Sequence, residues 1–193
     1  GTTLRPNAEN PFMSLHVSLC GCGTIGQEIA GAFADGTIGA HLVQVFDRNS
    51  EMQSAVLDLF EDNAPDALDD ADALTDGVDL VVEAAGQGAV HEIAVPTLEA
   101  GCDLMLLSVG ALADADLRAS VLAAVEENDA TLRVPSGAIA GIDAVKAAAL
   151  TGDLESVSLT TTKNPAGLEG APYLVENDVD IYDIDEPEVV FEG

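Results

Sequence analysis

Twelve residues, Leu15-His16-Val17-Ser18-Leu19-Cys20-Gly21-Cys22-Gly23-Thr24-Ile25-Gly26, restrict the fold of this chain more than any other stretch. A short apolar-rich run enters Gly-x-Gly-x-x-Gly, and a segment with apolar residues four apart follows. Gly21 permits a sharp turn out of a strand. Gly23 offers a backbone without a Cβ to an approaching pyrophosphate, and Gly26 lets a helix pack closely on the sheet. The helix that opens at Thr24 and Ile25 points free N–H groups, and the positive end of its dipole, at such phosphates. The next strand candidate, His41–Phe46, ends in Asp47, 21 residues after Gly26. A carboxylate there accepts hydrogen bonds from an adenosine ribose. Strand, glycine turn, helix and acid together predict a dinucleotide-binding unit, with a purely structural strand-turn-helix as the alternative.

The rest of the chain alternates in the same way. A helix is predicted over Thr24–Asp35, with Ile25, Ile29 and Phe33 stacked four apart, and a second helix is capped by Ser50, with Met52, Val56 and Phe60 on one face. Residues 61–77 are acidic and poor in large apolar groups, and fit a loop, a short strand or a short helix. The strand Val78–Glu83 runs into Ala84-Ala85-Gly86-Gln87-Gly88, where small residues allow a cofactor to lie against the backbone. A helix over Gly88–Ala100 is expected to kink or split at Pro96. The strand Cys102–Leu107, a helix capped by Asp114 and running to Glu127, and the strand Thr131–Val134 follow. Beyond the loop Pro135-Ser136-Gly137-Ala138 come a helix over Ile142–Leu150, an alternating strand at Glu155–Thr162 and a last strand candidate at Pro187–Phe191. This is the pattern of an α/β chain whose doubly wound parallel Rossmann sheet spans 13–135 and binds ligands at its carboxyl edge. Residues 136–193 read as the first part of a second domain, too short to close its own core, and residues 1–12 as a leader or remnant outside the fold.

Charge narrows the function. With 35 acidic residues against 6 basic ones, a formal net charge of −29, the chain has almost nothing to neutralise nucleic-acid phosphates or to hold an anionic membrane. The acids are spread through an apolar-periodic sequence, so they read as the surface of a folded protein rather than a disordered tail. Such a surface repels itself at low salt and is screened at molar salt. The chain therefore reads as a cytoplasmic protein of a salt-accumulating halophile, an acidic mesophilic protein being the alternative. Cys20, Cys22 and Cys102 make no disulfide framework, and Cys-x-Cys is neither a thioredoxin nor a zinc spacing. They read as small, buried, reduced residues, and no metal site is predicted.

Three stretches at strand exits narrow the reading further: Glu83-Ala84-Ala85-Gly86, then Leu107-Ser108-Val109-Gly110-Ala111-Leu112, then Val134-Pro135-Ser136-Gly137-Ala138-Ile139-Ala140-Gly141-Ile142-Asp143-Ala144. In this order, after the glycine motif, they resemble the L-aspartate dehydrogenase family over residues 13–193. The Pro-Ser-Gly-Ala-Ile run with Ile142-Asp143-Ala144 is the most specific part. The resemblance implies a Rossmann domain followed by an α/β catalytic domain on a mixed sheet. It implies oxidation of L-aspartate to iminoaspartate with NAD or NADP, or the reverse amination, feeding NAD biosynthesis, and a cofactor contact at Ala138. The expected cofactor-binding set is Gly21, Gly23, Thr24, Ile25, Gly26, Asp47, Arg48, Ala84, Ala85, Gly86 and Ala138. Asp47 favours NAD, whereas Arg48 can pair with a 2′-phosphate, so both cofactors stay open.

Two departures from the family pattern matter. Its Arg-Lys-Pro appears here as Thr162-Lys163-Asn164-Pro165, so Thr162 replaces an arginine that would meet the substrate carboxylate. The family's catalytic histidine, and an asparagine that contacts the cofactor, follow the segment matching Val189–Gly193, so the chain is expected to be truncated before them and no catalytic residue is named. His16 and His41 are expected at the sheet periphery and His91 on a helix surface. Lys163 reads as a substrate-carboxylate ligand or a solvated charge, and Glu83 as a structural acid. An incomplete second sheet leaves edges and apolar surface, which predicts a homo-oligomer. Competing readings are a homoserine dehydrogenase-like or dihydrodipicolinate reductase-like enzyme, and a non-catalytic dinucleotide-binding module whose acidic surface docks a partner.

Overall fold

A computed structural model of the chain describes residues 15–136, 142–152, 154–165, 173–174, 177, 179–181 and 188–191. The chain divides after Ala140 into two compact units. In the first, strands and helices alternate as β1 (His16–Cys20), α1 (Thr24–Ala34), β2 (His41–Phe46), α2 (Ser50–Leu57), β3 (Asp66–Ala67), β4 (Leu80–Glu83), α3 (Gln87–Glu99), β5 (Asp103–Leu106), α4 (Ala115–Glu127) and β6 (Leu132–Arg133). All the strand pairs are parallel, and the sheet order is β3-β2-β1-β4-β5-β6. This is the doubly wound order of dinucleotide-binding folds, in which the winding reverses between β1 and β4.

The strands are apolar because helices cover both faces of the sheet. Alternation along β4 shows it: Leu80 and Val82 join a cluster with Ala30 of α1 and Val56 of α2, while Val81 joins Val90, Ile93 and Leu98 of α3 and Val121 of α4. Leu104 and Leu106 of β5 point to the α3–α4 side, and Met105 packs on the other. Each such fully buried aliphatic side chain contributes about 1.5–3 kcal/mol relative to exposure. The strand ends are in register. Cys20 pairs with both Phe46 and Glu83, and Glu83 pairs with Leu106, so four strands release their chains along one edge.

Several local expectations need correction. The cap of α2 is Asn49, not Ser50: Asn49 is extended and its side chain accepts from Glu51 N at 3.0 Å, which makes Ser50 the first helical residue. Ile25 does not belong to the buried stripe of α1, which runs through Gly26 and Ala30; it is 54% exposed. Phe60 lies past the end of α2, although it still packs on the same core. Pro96 neither splits nor ends α3, which is continuous over 13 residues. The proline sits in the last turn and removes one ladder bond, that to the carbonyl of Glu92, while the helix runs on past it.

Residues 61–77 contain both β3 and a 3₁₀ turn over Ala71–Thr75 that buries Leu74. Side-chain amides hold this segment. Gln44 donates to Asp76 O at 3.0 Å, and Gln53 donates to Leu68 O at 2.7 Å. A further 3₁₀ turn, Val109–Ala113, separates β5 from α4, where Asp114 accepts from Asp116 N and Leu117 N as the cap the sequence predicts. These two bonds hold the Asp114 carboxyl below the usual carboxylate range.

In the second unit, α5 spans Ile142–Thr151. Glu155–Thr162 is exposed and enters no ladder, and neither do residues 188–191, the described part of the Pro187–Phe191 candidate. Alternating sequence becomes a strand only when a neighbour completes its hydrogen bonds, and no such neighbour occurs among the described residues. Among them no helix is long and apolar enough to cross a membrane.

The packing can be tested at β5. Leu104→Ala removes a side chain with no solvent exposure from the α3–α4 face. It should lower unfolding free energy by roughly 2–5 kcal/mol in urea titrations at constant high salt. A change under about 1 kcal/mol would mean that this face is not the tightly packed core described.

Candidate functional site

The carboxyl edge of the sheet gathers the glycine motif, the end of β2 and the exits of β4 and β5. Each of the three motif glycines has its own physical reason. Gly21 has φ +101°, donates from its N–H to Phe46 O at 2.8 Å, and lies so close to the β4 exit that a Cβ would be 2.5 Å from Ala84 C and Ala85 N. At Gly26 a Cβ would be 2.0 Å from Gly21 O, so this glycine lets α1 pack on the turn itself. At Gly23 nothing lies within 4 Å of the Cβ position. The chain's own packing does not require glycine there, and the backbone is left open to the approach of a ligand.

The helix ends support the same reading. Neither α1, which begins beside Gly23, nor α3, which begins beside Gly86 (φ +126°), has a side-chain cap or an acidic residue in its first turn. By contrast, α2 starts with Asn49 and Glu51, and α4 with Asp114 and Asp116. In a chain carrying 35 acids, the two helices that leave adjacent strands at the winding reversal have no acid in their first turns, and the one carboxylate at the α3 start, Glu83, takes the cap N–H of Gly86. Such ends bind anions.

Asp47 is held ready at the end of β2. Its Oδ2 accepts from Cys22 N at 2.7 Å and its Oδ1 from Asn49 N at 2.8 Å. Each oxygen keeps acceptor capacity for a ribose hydroxyl. A cavity of about 200 Å³ opens beside it, lined by Cys20, Phe46, Asp47, Arg48, Ala71, Ala85, Gly88, Ala89, Glu92 and Ile93. Its apolar walls suit a planar base, and the Asp47 carboxylate on its rim suits sugar hydroxyls. On that rim Arg48 of the β2 exit is ion-paired with Glu92 of α3.

Glu83 is the fully buried acid of the site. Its Oε1 accepts from Ala85 N, Gly86 N and Ser108 Oγ, each at 2.8 Å, and its Oε2 from Ser108 N at 2.9 Å. One carboxylate thereby fixes the backbone at the exits of both β4 and β5. The neighbouring thiols stay neutral: burial, helped by Asp47 and for Cys20 also by Glu83, pushes both Cys20 and Cys22 up to about 12. They are not nucleophiles.

Gly21, Gly23, Thr24, Ile25, Gly26, Asp47, Arg48, Ala84, Ala85 and Gly86 thus lie along one edge, whereas Ala138 falls outside the described residues. Sequence reasoning placed Gly88 at the cofactor only as a small residue of the β4 exit and Ser108 only in the β5 exit turn, and it missed the α3 face formed by Gly88, Ala89, Glu92 and Ile93. The helical spacing of those four was the available signal. His16 and His41 begin β1 and β2 at the opposite edge, with ring centroids 5.9 Å apart. His91 is exposed on α3, and Lys163 is exposed in the second unit. Among the described residues no group of three or more His, Cys, Asp or Glu could hold a metal ion.

Comparison with known proteins follows this geometry. A family profile described as the NAD binding domain of homoserine dehydrogenase matches residues 21–135, and one described as the C-terminal part of aspartate dehydrogenase matches residues 143–193. The L-aspartate dehydrogenase of Methanosarcina acetivorans is 40% identical over 179 residues, covering 93% of this chain and 65% of that protein. That of Methanothermobacter thermautotrophicus is 43% identical over 152 residues, covering 79% and 58%. The chain thus spans less than two thirds of the length of these relatives. Of solved structures, aspartate dehydrogenase from Thermotoga maritima superposes with a TM-score of 0.54 at 25% identity, over 69% of this chain and 50% of that one. The WlbA dehydrogenase from Bordetella pertussis, solved with NADH and UDP-GlcNAcA, gives 0.57 at 25% identity, over 72% and 42%.

Two substitutions separate ligand from packing in the glycine motif. Gly23→Ala should fold, losing no more than about 1 kcal/mol as the α1 N-cap, and lose NADH affinity at least tenfold in fluorescence titration. Gly26→Ala should itself be destabilised, by about 3 kcal/mol, because a backbone carbonyl cannot rotate away from the new methyl group. Equal melting temperatures for the two variants would refute the assignment. For Glu83→Gln, the amide nitrogen must face N–H donors, and each buried donor left unpaired costs about 1–3 kcal/mol. That variant should melt well below the parent and bind NADH more weakly; parental stability would show that the four bonds do not hold the two exits.

Proposed function

This chain belongs to the L-aspartate dehydrogenase family, and from that premise we propose that the whole protein oxidises L-aspartate to iminoaspartate with NAD or NADP, or runs the reverse amination. The balance is L-aspartate plus NAD(P)⁺ giving iminoaspartate, NAD(P)H and a proton; water then converts the imine to oxaloacetate and ammonia. The single observation that carries this reading is the match of residues 143–193 to the aspartate dehydrogenase C-terminal profile. A dinucleotide-binding half is common to many oxidoreductases, and the second half is where their substrates differ.

The residues of the first unit fit the cofactor. The N–H ends of α1 and α3 and the open face of Gly23 receive the pyrophosphate, and Asp47 takes ribose hydroxyls. Phe46, Ala71, Ala89 and Ile93 enclose the base, and Ala84-Ala85-Gly86 let the remainder lie along the β4 exit. When bound, the nicotinamide ring supplies the hydride acceptor. Proton chemistry is assigned to no described side chain. In this reading Ala138 is a further cofactor contact and Lys163 a candidate for a substrate carboxylate. The excess of carboxylates supports work in the molar-salt cytoplasm of a halophile; a place in NAD biosynthesis follows from the family reading, and exposed Val157 and Leu159 in the second unit support a homo-oligomer.

The test is NADH formation by the full-length protein from L-aspartate in molar KCl, with L-homoserine as the competing substrate that the first profile's description suggests. Aspartate-dependent turnover that falls as KCl is removed is the expected result. Turnover of homoserine without aspartate would sink the substrate assignment, and undiminished activity at low salt would sink the halophile reading.

A further inference from the structure

The rim of the 200 Å³ cavity holds three charged side chains, Asp47 and Arg48 from the β2 exit and Glu92 from the second turn of α3. Arg48 is the one cation among the residues that line it, and its guanidinium is engaged by Glu92 Oε1 across the mouth, 44 positions away in sequence. Both side chains remain largely in solvent, 71% and 55% exposed. An ion pair so exposed adds little to folding, which leaves its effect on the rim as its main consequence.

We propose that Glu92 is a specificity-determining residue that makes the site prefer NAD over NADP by occupying Arg48. The proposal rests on the dinucleotide reading given above. A 2′-phosphate would enter beside the carboxylate that already holds the ribose end, and it needs a free guanidinium fork to be accepted. Here that fork is turned to Glu92, and two carboxylates, Asp47 and Glu92, flank the position. A 2′-hydroxyl meets no such obstacle, because it donates to Asp47. Glu92 does not touch the reacting atoms; it acts through Arg48, so its role is one of positioning and charge.

The experiment measures dissociation constants of NADH and NADPH from their own fluorescence, at a fixed KCl concentration at which the protein is folded. The parent chain should prefer NADH. Glu92→Gln should raise the NADPH-to-NADH affinity ratio about tenfold, Glu92→Asp should restore most of the parental ratio, and Glu92→Gln combined with Arg48→Gln should abolish the gain. A parental ratio in Glu92→Gln would overturn the proposal. So would an equal rise in the double variant, because the gain would then come from lost repulsion without Arg48. If neither dinucleotide binds even the parent chain, the cofactor reading itself fails; binding without a change in ratio removes only the role of Glu92.

Discussion

The carboxyl edge depends on Glu83, a carboxylate with no solvent exposure and no cation hydrogen-bonded or ion-paired to it among the described contacts. An ionised carboxylate moved from water into such a place is very costly unless its oxygens are satisfied. Here three backbone N–H groups and one hydroxyl do so. Charge-assisted bonds of this kind are roughly twice as strong as neutral ones, and three of the four come from groups whose positions follow the backbone. The geometry therefore runs in one direction. Glu83 fixes Ala85 and Gly86, the fixed Ala84–Ala85 link sets how near Gly21 must come, and Gly21 in turn sets the seat on which Gly26 and α1 rest.

The same edge shows how a chain of net charge −29 can offer a site for a polyanion. Lysines and arginines are too few to gather there. The first turns of the two helices at the winding reversal hold no acid, while Asn49 with Glu51 and Asp114 with Asp116 open α2 and α4. Backbone N–H groups then supply the positive potential, within the first turn of each helix. The one carboxylate brought inward at β2, Asp47, is tied by Cys22 N and Asn49 N, which orients it toward hydroxyls.

Much of this was legible in sequence because it is local. Strand, glycine turn and helix follow each other without a gap from His16 to Ala34, and the buried strands announce themselves as apolar runs because both their faces are covered. What could not be read depends on partners far away in sequence. The segment 61–77 is poor in apolar residues because Gln44 and Gln53, contributed by β2 and α2, hold its backbone through amide bonds that leave no periodic trace. Ser108 has no signal of its own until Glu83 is seen beneath it. Glu92 lies on an exposed helical turn whose neighbour, Arg48, belongs to another crossover. The shift of the α2 cap from Ser50 to Asn49 is a smaller case: both residue types cap helices, and only the extended backbone of Asn49 decides between them.

The glycine motif also shows how a ligand can be inferred from a protein described without one. Two of its glycines are accounted for by the chain itself, since added methyl groups would strike backbone atoms at 2.5 and 2.0 Å. The third touches nothing. A glycine in the middle of an otherwise crowded turn, at φ −70° and ψ −162°, an extended backbone that any residue adopts, gains from its missing side chain only the small preference of a helix N-cap unless something else occupies that space. Beside it stand a bare helix start and a tethered carboxylate, one suited to phosphate and the other to ribose. The demand that folding leaves unexplained at Gly23 therefore coincides with the chemistry that a dinucleotide would explain.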